Sequence, residues 1–369
     1  MKEELVSRYI IDGVPQDLTP ARLLAGVSID GQARDIQDGA GTIIDESLDL
    51  PIELHDWKIS NLDEYSAIVE STERQLPPTF AGTYSRQRVA SALIDAVWRR
   101  GHFRLEDLAV CPEWKWNTSG VGSNASFYES VRELADYCDA LGIKVSSYSH
   151  SISAKHSELN VNAVTGNVDD ADSMFSDPSG RKVRMEQGRA CPSKLEPDPR
   201  SWLVWVPFDT SDFRLGGSLL AQAMHLGGGT GPQIVDADYF IDCFEVVREL
   251  VEDGIILSGV TVGDGGLLKA AKRLCGSGPG TCIDLSDAMK AYEENNAVRL
   301  LFAEIPGVLF QISDSDFDYI DAEFLLQDVA YFPLGHPNTR NSAVCVKASA
   351  KNSIQTILES LMQNAEGED

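Results

Sequence analysis

Residues 255–274, IILSGVTVGDGGLLKAAKRL, contain the pattern that decides the fold. The apolar run over 255–262 has the length of a buried strand, and the spacing of apolar residues over 267–274 predicts a helix. Between them, residues 263–266 combine one aspartate with three glycines, a composition typical of a tight turn. A strand, a turn and a helix in this order indicate a layered α/β or α+β architecture.

The same patterns, followed in both directions along the chain, predict further elements of this architecture. Helices are expected over 85–98, 126–141, 239–252 and 353–362. Strands are expected over 143–147, 201–208, 299–303, 307–312, 329–334 and 343–348. Ser123 or Asn124 can cap the helix that begins near 126, and Gly142 can end it in a left-handed conformation. Residues 157–199 are predicted to form a long loop or an inserted hairpin.

The composition excludes several classes of partner. Acidic residues number 57 and basic residues 31, for a formal net charge of -26. This charge repels nucleic acids and anionic membrane surfaces, and no stretch rich in Lys and Arg offsets it. The sequence contains no run of about 18 apolar residues, so it predicts no membrane-spanning helix. We therefore expect neither nucleic-acid binding nor membrane association.

The seven cysteines indicate a reducing compartment. Their number is odd, no pair has CxxC spacing, and several lie in apolar periodic segments, where a thiol behaves as a small hydrophobic group. We interpret them as reduced thiols rather than as disulfides or zinc ligands. The first residues, MKEELVSRYIIDG, contain early acids and no long apolar run, unlike a signal or transit peptide. A cytoplasmic location is the expectation.

Three segments occur in the order and spacing of a known family: RLGGSLLAQ at 214–222, VTVGDGGLLKAAKRL at 260–274 and LLFAEIPGVLFQIS at 300–313. They resemble the LGGSxLAQ, HDxSDGGL and LFxEExG motifs of the large single-chain phosphoribosylformylglycinamidine synthases, in the aminoimidazole-ribotide synthetase superfamily. Upstream, 113–153 resembles that family's NWMW to GKDSLSM region, and 76–97 resembles the segment leading into its helix that ends in EALTN. The resemblance is to the C-terminal half of those enzymes.

The resemblance implies a two-domain α/β (α+β) fold. Its N-terminal domain supplies strands that close a small barrel with a sister domain, and its C-terminal α/β domain carries the DGG motif. The chain would then consist of an irregular N-terminal extension, a synthetase-like N-terminal domain, a synthetase-like C-terminal domain and a C-terminal helix with a tail, over 1–75, 76–208, 209–350 and 351–369. Such a barrel implies a homodimer or a synthetase-like partner subunit.

The resemblance also implies a chemistry. The family activates an amide oxygen by phosphorylation with ATP, which needs Mg²⁺ on oxygen ligands and backbone NH groups around the phosphates. Asp264 stands at the family's SDGG aspartate and is a candidate Mg²⁺ ligand, and Gly265 and Gly266 let the backbone approach a phosphate. Glu304 matches the LFxE glutamate and is a second candidate metal ligand. A steric turn for DGG and a loop-orienting role for Glu304 are the structural alternatives.

Several ligand positions of the family carry other residues in this chain. Where the family's helix supplies a Glu and an Asn, this sequence has Ala92 and Ala96. In the family's GKDS segment, Ser149 replaces the phosphate-facing lysine, and His150 replaces the acid although imidazole is a poor Mg²⁺ ligand. Ser149 and Ser151 stay candidate phosphate-binding residues. His150 is a candidate catalytic residue, with a hydrogen-bonded structural histidine as the alternative.

The sequence leaves three functions open. The first is a catalytically degenerate member that keeps the fold as a scaffold or regulatory subunit, with binding of ATP or ADP and Mg²⁺ weak or lost. The second is an active, ATP-dependent C–N ligase subunit of purine synthesis that works with a partner chain carrying intact motifs. The third is new chemistry built on His150, Asp264 and Glu304, which requires all three in one pocket.

Overall fold

The computed structural model describes residues 3–25, 35–39, 50–52, 55–101, 103–165 and 189–348. Its helices are α1 Glu3–Val6, α2 Pro20–Ala25, α3 Leu62–Ser71, α4 Ala81–Val97, α5 Ser123–Ala140, α6 Leu219–Ala223, α7 Ala237–Glu252, α8 Gly266–Cys275, α9 Ser286–Ala291, α10 Ala297–Phe302 and α11 Phe317–Leu326. Its strands are β1 Arg8–Ile11, β2 Val14–Pro15, β3 Asp35–Asp38, β4 Leu50–Pro51, β5 Leu108–Trp116, β6 Lys144–Val145, β7 Ser149–Ile152, β8 Glu158–Thr165, β9 Trp202–Pro207, β10 Leu226–Gly227, β11 Ile256–Val262, β12 Gly280–Asp284, β13 Gly307–Ile312, β14 Phe332–Gly335, β15 Pro337–Asn338 and β16 Val344–Lys347.

Helices and sheets are mixed along the chain, which confirms the predicted α/β class. The predicted helix over 353–362, and the tail of 351–369 to which it belongs, lie outside the described residues. In the part of the chain that the structure describes, no helix has the length and apolarity needed to cross a lipid bilayer.

A first sheet is built around β5, which pairs in parallel with β6 and β7 and antiparallel with β8. Trp114 and Trp116 are both buried on the side of the sheet that faces α5. The indole nitrogen of Trp114 donates to the Ser130 hydroxyl at 2.9 Å, and that of Trp116 donates to the Ser123 carbonyl oxygen at 2.9 Å. Because both acceptors belong to α5, these bonds fix the helix on the sheet while the rings fill the core.

A second, antiparallel sheet has the strand order β11–β13–β9–β14. α8 packs on β11, and α4 contacts β11 and β13 as well as β8 and α5. α4 is therefore shared by the two sheets and lies next to the turn that follows β11. β9, which the sequence analysis placed in the domain of 76–208, pairs with strands of the domain of 209–350.

The prediction of a strand over 299–303 is wrong, because α10 covers Ala297–Phe302. The Asn296 side chain accepts a hydrogen bond from the Val298 backbone NH at 3.0 Å and so caps the start of this helix. The apolar residues of its last turn are all buried: Leu300, Leu301 and Phe302. Because all residues of this short helix except Arg299 are buried, the run has no clear periodicity by which a helix differs from a strand.

The first 75 residues contain more regular structure than their sequence predicts. β1, β2 and β3 form a small sheet near α5, and the Tyr9 ring lies 5.2 Å from the Tyr128 ring. The Tyr128 hydroxyl donates to the Leu18 carbonyl oxygen at 3.0 Å. α3 packs against α6 and α8. These short elements take their stability from tertiary contacts, and they contribute residues to both hydrophobic cores.

Helix α5 takes its N-terminal cap from a distant segment. Among the described contacts its own residues supply no capping side chain, so the prediction that Ser123 or Asn124 caps it is wrong. The Asp38 carboxylate, at the end of β3, accepts hydrogen bonds from the backbone NH groups of Gly122, Asn124 and Ala125 at 2.9, 2.8 and 3.0 Å. A carboxylate there satisfies free NH groups and interacts favourably with the helix dipole.

We expect Asp38→Ala to lower the free energy of unfolding by about 1–2 kcal/mol, because three NH groups lose their charged acceptor. The Asp38→Asn variant keeps one side-chain oxygen as an acceptor, so we expect a clearly smaller loss. Chemical denaturation of both variants measures the difference. Equal losses would mean that the packing of β3, and not the cap, determines the effect.

Candidate functional site

The three motifs of the second half meet at the Glu304 side chain. Glu304 follows α10 with a left-handed backbone (φ 60°), which is uncommon outside glycine, and its side chain is 2% exposed. The Oε1 atom accepts hydrogen bonds from the backbone NH groups of Leu219 at 2.9 Å and Gly265 at 2.6 Å. Leu219 belongs to the segment RLGGSLLAQ, which resembles the LGGSxLAQ motif, and Gly265 belongs to the DGG turn. The Glu304 carboxylate therefore holds these two motifs together.

The other oxygen of this carboxylate faces Arg74. Arg74 Nη2 lies 3.2 Å from Glu304 Oε2, and Arg74 Nε lies 3.6 Å from Asp264 Oδ1. The Arg74 side chain is 10% exposed, and its guanidinium carbon lies 4.5 Å from the centre of the Tyr84 ring, in a cation–π contact. A single buried guanidinium group thus contacts both candidate metal ligands.

A second arginine completes the charge balance at Asp264. Arg88 Nη1 donates to Asp264 Oδ2 at 2.9 Å. The Arg88 and Asp264 side chains are both partly exposed, by 26% and 30%. Two guanidinium groups therefore face two carboxylates, and their formal charges cancel. We call these four side chains, from Arg74, Arg88, Asp264 and Glu304, the arginine–carboxylate network.

Burial and the neighbouring opposite charges shift the pKa values of Glu304 and Arg74 in opposite directions. Burial raises the pKa of the Glu304 carboxyl, the Arg74 charge opposes that rise, and the Asp264 charge adds to it. For Arg74, burial lowers the guanidinium pKa, but the negative charges of Glu304 and Asp264 outweigh burial and raise the pKa above its ordinary value. Arg74 therefore stays charged at physiological pH, and its charge makes a carboxylate tolerable at this depth.

Two glutamines position the network. The Gln222 side chain, at the end of RLGGSLLAQ, accepts a hydrogen bond from the Gln75 backbone NH at 3.2 Å and donates to the Glu73 carbonyl oxygen at 3.0 Å. It therefore fixes the backbone on both sides of the buried arginine. Gln87 on α4 donates to the backbone carbonyl oxygen of Glu304 at 3.1 Å. The family-like segment at 214–222 thus serves to place an arginine that the sequence analysis did not consider.

A cavity of about 230 Å³ opens beside Asp264, between α4 and α8. Its walls carry three basic side chains and two carboxylates, from Arg88, Lys269, Arg273, Asp95 and Asp264. A divalent cation prefers a site in which oxygen ligands dominate. Within the described ranges, no group of three or more His, Cys, Asp or Glu side chains is placed to hold a metal ion.

The helix positions that the resemblance assigns to metal ligands lie in the core. Ala92 and Ala96 on α4 are 7% and 2% exposed. The side of α4 that lines the cavity presents Arg88, Ser91 and Asp95 instead, and the Asp95 carboxylate accepts a hydrogen bond from the Thr261 hydroxyl. The one acid of this helix therefore has a structural partner on β11.

His150, Ser149 and Ser151 lie on β7, in the first sheet. The buried His150 ring lies 4.8 Å from the Phe127 ring, and its Nδ1 lies 3.8 Å from Glu4 Oε2. Ser149 is exposed and Ser151 half-buried, on the opposite face of the strand. None of these three described residues lines the cavity beside Asp264. The structure brings Asp264, Gly265, Gly266 and Glu304 together, whereas His150 lies in the first sheet and contacts α5 and α1.

Sequence reasoning missed Arg74 and Arg88. Arg88 lies in the predicted helix of 85–98, four residues before Ala92. Residues four apart lie on the same face of a helix, so the sequence could have placed the Arg88 charge beside the position where the family has a metal ligand. Arg74 lies in the segment of 1–75, which has no periodicity from which its position could be inferred. Its place depends on contacts with Gln222 and Glu304, and the sequence alone does not contain those distances.

Comparisons with known proteins match the part of the chain that contains these motifs. Residues 209–319 match the family model described as AIR synthase related protein, C-terminal domain. The phosphoribosylformylglycinamidine synthase of Drosophila melanogaster is 27% identical over 277 residues, which cover 68% of this chain and 19% of the relative. The Homo sapiens enzyme is 23% identical over 273 residues, which cover 73% and 19%. T. maritima PurL complexed with FGAR has a TM-score of 0.51 at 13% identity, over 74% of this chain and 42% of that chain.

These matches differ in what they establish. At 13% identity the likeness to T. maritima PurL shows the fold alone. The chain spans about a fifth of the length of the curated relatives it matches. The segment of 209–319 contains the LGGS, DGG and LFAE motifs that converge on Glu304. The motifs, the family match over residues 209–319, the curated relatives and the fold together support a relation of this chain to the superfamily of phosphoribosylformylglycinamidine synthase and AIR synthase.

Proposed function

We propose that this protein is a catalytically degenerate phosphoribosylformylglycinamidine synthase-like protein that acts as a scaffold or regulatory subunit in purine biosynthesis. The observation that supports the proposal is the arginine–carboxylate network. Asp264 and Glu304 are the two acids that the resemblance assigns to a metal site, and both are engaged by guanidinium groups. An arginine charge at each carboxylate supplies the neutralisation that a bound cation would otherwise supply.

The side chains present do not fit a magnesium–nucleotide complex. Mg²⁺ needs a near-octahedral set of oxygen ligands. An ion that bound Glu304 Oε2 would displace a guanidinium group lying 3.2 Å away and leave that group charged and buried beside it. The alanines at the other two ligand positions contribute no oxygen. Nucleotide binding at this site therefore carries an electrostatic cost.

A scaffold role implies a partner. The chain spans about a fifth of the length of its curated relatives, so the activity of the whole enzyme would need parts that these 369 residues do not contain. We propose either a synthetase-like partner subunit or a homodimer, with the sheet around β5 as the contact, since the resemblance assigns barrel closure to that domain. A cytoplasmic location is part of this proposal, because the seven cysteines suit a reducing compartment.

Thermal unfolding in the presence of ADP and MgCl₂ tests the degenerate site. A functional site with a Kd of about 10 μM would stabilise the protein by about 2.7 kcal/mol at about 1 mM ligand. We expect no measurable rise in Tm under those conditions, and no release of ADP above background from formylglycinamide ribotide, ammonia and ATP. The control ligand is ADP without Mg²⁺, which separates a nucleotide effect from a metal effect.

The Asp264→Ala variant makes the test decisive. If the wild-type Tm rises with Mg²⁺ and ADP and the rise disappears in Asp264→Ala, the site binds nucleotide through its metal and the protein is an active or nucleotide-dependent subunit. If wild type and variant respond equally, any binding lies outside the DGG turn. Turnover of the three substrates would overturn the scaffold proposal directly.

A further inference from the structure

Two cysteines face each other across neighbouring strands at the C-terminal end of the described chain. β12 and β16 pair in parallel, and in this register Cys282 lies directly opposite Cys345. Opposite residues in a ladder present their side chains on the same face. Neighbouring strands lie about 4.8 Å apart, within the range of about 4.4–6.8 Å that Cα atoms span in disulfides.

The two thiols occupy the open face of this sheet. Cys345 is exposed and Cys282 is half-buried, whereas Ile283, the next residue of β12, is buried on the inner face. The pair that follows on the open face is Asp284 opposite Lys347. A small oxidant in solution can therefore reach Cys345, and Cys282 lies behind it.

The other cysteines differ in their surroundings. Four are buried, Cys138, Cys191, Cys243 and Cys275, and a fifth, Cys111, is half-buried on β5. Burial raises the pKa of Cys138 to about 12, so its thiolate form is scarce at neutral pH. Burial raises the pKa of Cys282 to about 11, and the neighbouring Cys345 thiol adds to that rise.

We propose that Cys282 and Cys345 form a reversible oxidation site, in which a peroxide converts the two thiols into a disulfide that links β16 to β12. The thiolate of Cys345 attacks one peroxide oxygen, the O–O bond breaks, and the products are a sulfenic acid and one water. The Cys282 sulfur then attacks the Cys345 sulfur, and the hydroxyl leaves as a second water. Two thiols are oxidised by two electrons, one peroxide is reduced to two waters, and a dithiol reductant reverses the bond.

The disulfide would strengthen the attachment of β16, which pairs with β12 at only four positions. β16 has four residues and pairs only with β12 among the described strands. A disulfide joins positions 282 and 345, which are 63 residues apart, and so restricts the unfolded chain. Oxidation would therefore stabilise the attachment of the last described strand, while the arginine–carboxylate network contains no sulfur and is unaffected.

Hydrogen peroxide treatment of the full chain, followed by thiol titration and peptide mapping without reduction, tests the proposal. We expect the loss of two of the seven thiols per chain, and a linked pair of tryptic peptides, 274–290 and 341–347, lighter by two hydrogens than the sum of the free peptides. Dithiothreitol should restore both thiols. The oxidised protein should melt about 3–5 °C above the reduced protein.

The variants Cys282→Ser and Cys345→Ser should each lose the linked peptides and the shift in Tm, while Cys111→Ser should keep both. Because peptide 274–290 also contains Cys275, a link that persists in Cys282→Ser would assign the bond to Cys275 and overturn the proposal. Disulfide-linked dimers of the wild type on a non-reducing gel, with no linked peptides within one chain, would overturn it as well. Unchanged thiol counts after peroxide would have the same consequence.

Discussion

The Arg74→Ala variant is expected to unfold with a free energy about 3–5 kcal/mol lower than that of the wild type. Removal of this guanidinium group leaves the Glu304 carboxylate, which is 2% exposed, without its buried counter-charge. Burial already raises the pKa of Glu304, so the carboxyl in the variant either stays ionised at a high cost or takes up a proton. Denaturation in urea, with circular dichroism as the signal, measures the loss.

The Arg88→Ala variant is the matched control. Arg88 pairs with the same network, but it and Asp264 are partly exposed, so we expect a loss of about 1 kcal/mol or less. In Arg74→Ala combined with Glu304→Gln, the loss should be smaller than the sum of the single losses, since the unpaired charge is then absent. A smaller loss in Arg74→Ala than in Arg88→Ala would contradict a structural role for the buried pair.

The Gly266→Ala variant is expected to lose about 3 kcal/mol or more of stability. Gly266 starts α8 with a left-handed backbone (φ 70°). A Cβ atom at this position would overlap the backbone carbonyl oxygen of Leu301, which cannot move without displacing α10. The cost therefore combines about 1–2 kcal/mol for the left-handed backbone with the cost of steric overlap in a packed core. Urea denaturation measures the sum.

Gly254→Ala separates these two costs. Gly254 has almost the same backbone angle (φ 71°), but nothing lies within 4 Å of a Cβ atom built there. We therefore expect a loss of about 1–2 kcal/mol, from the backbone alone. If both alanine variants lose the same amount, the close approach of the DGG turn to α10 does not limit substitution.

Much of the architecture could be predicted because it is local. The strand of 255–262, the turn of 263–266 and the helix of 267–274 correspond closely to β11, the DGG turn and α8. Gly142 adopts the predicted left-handed conformation. α10 could not be told from a strand, because all of its residues except Arg299 are buried. The cap of α5 comes from Asp38, 84 residues before Gly122, and no local pattern records that contact.

Part of the candidate site could also be predicted, because its motifs are local in the sequence. Asp264 and Glu304 were identified through the motifs around them, and the structure places them in one charge network. The side chain that joins them, Arg74, lies in a segment without periodicity, and its position depends on the tertiary fold. Comparison with the family's motifs could therefore show that Asp264 and Glu304 are present. It could not show that arginine side chains neutralise these two carboxylates.

Arg74, which lies between Asp264 and Glu304, affects how this site folds. A counter-charge that is covalently attached to the backbone arrives with the chain during synthesis, at a fixed one-to-one ratio, and has no dissociation constant. The site around Glu304 can therefore fold without binding an ion from solution. Neither dilution nor a chelator can remove the Arg74 charge that balances the Glu304 carboxylate.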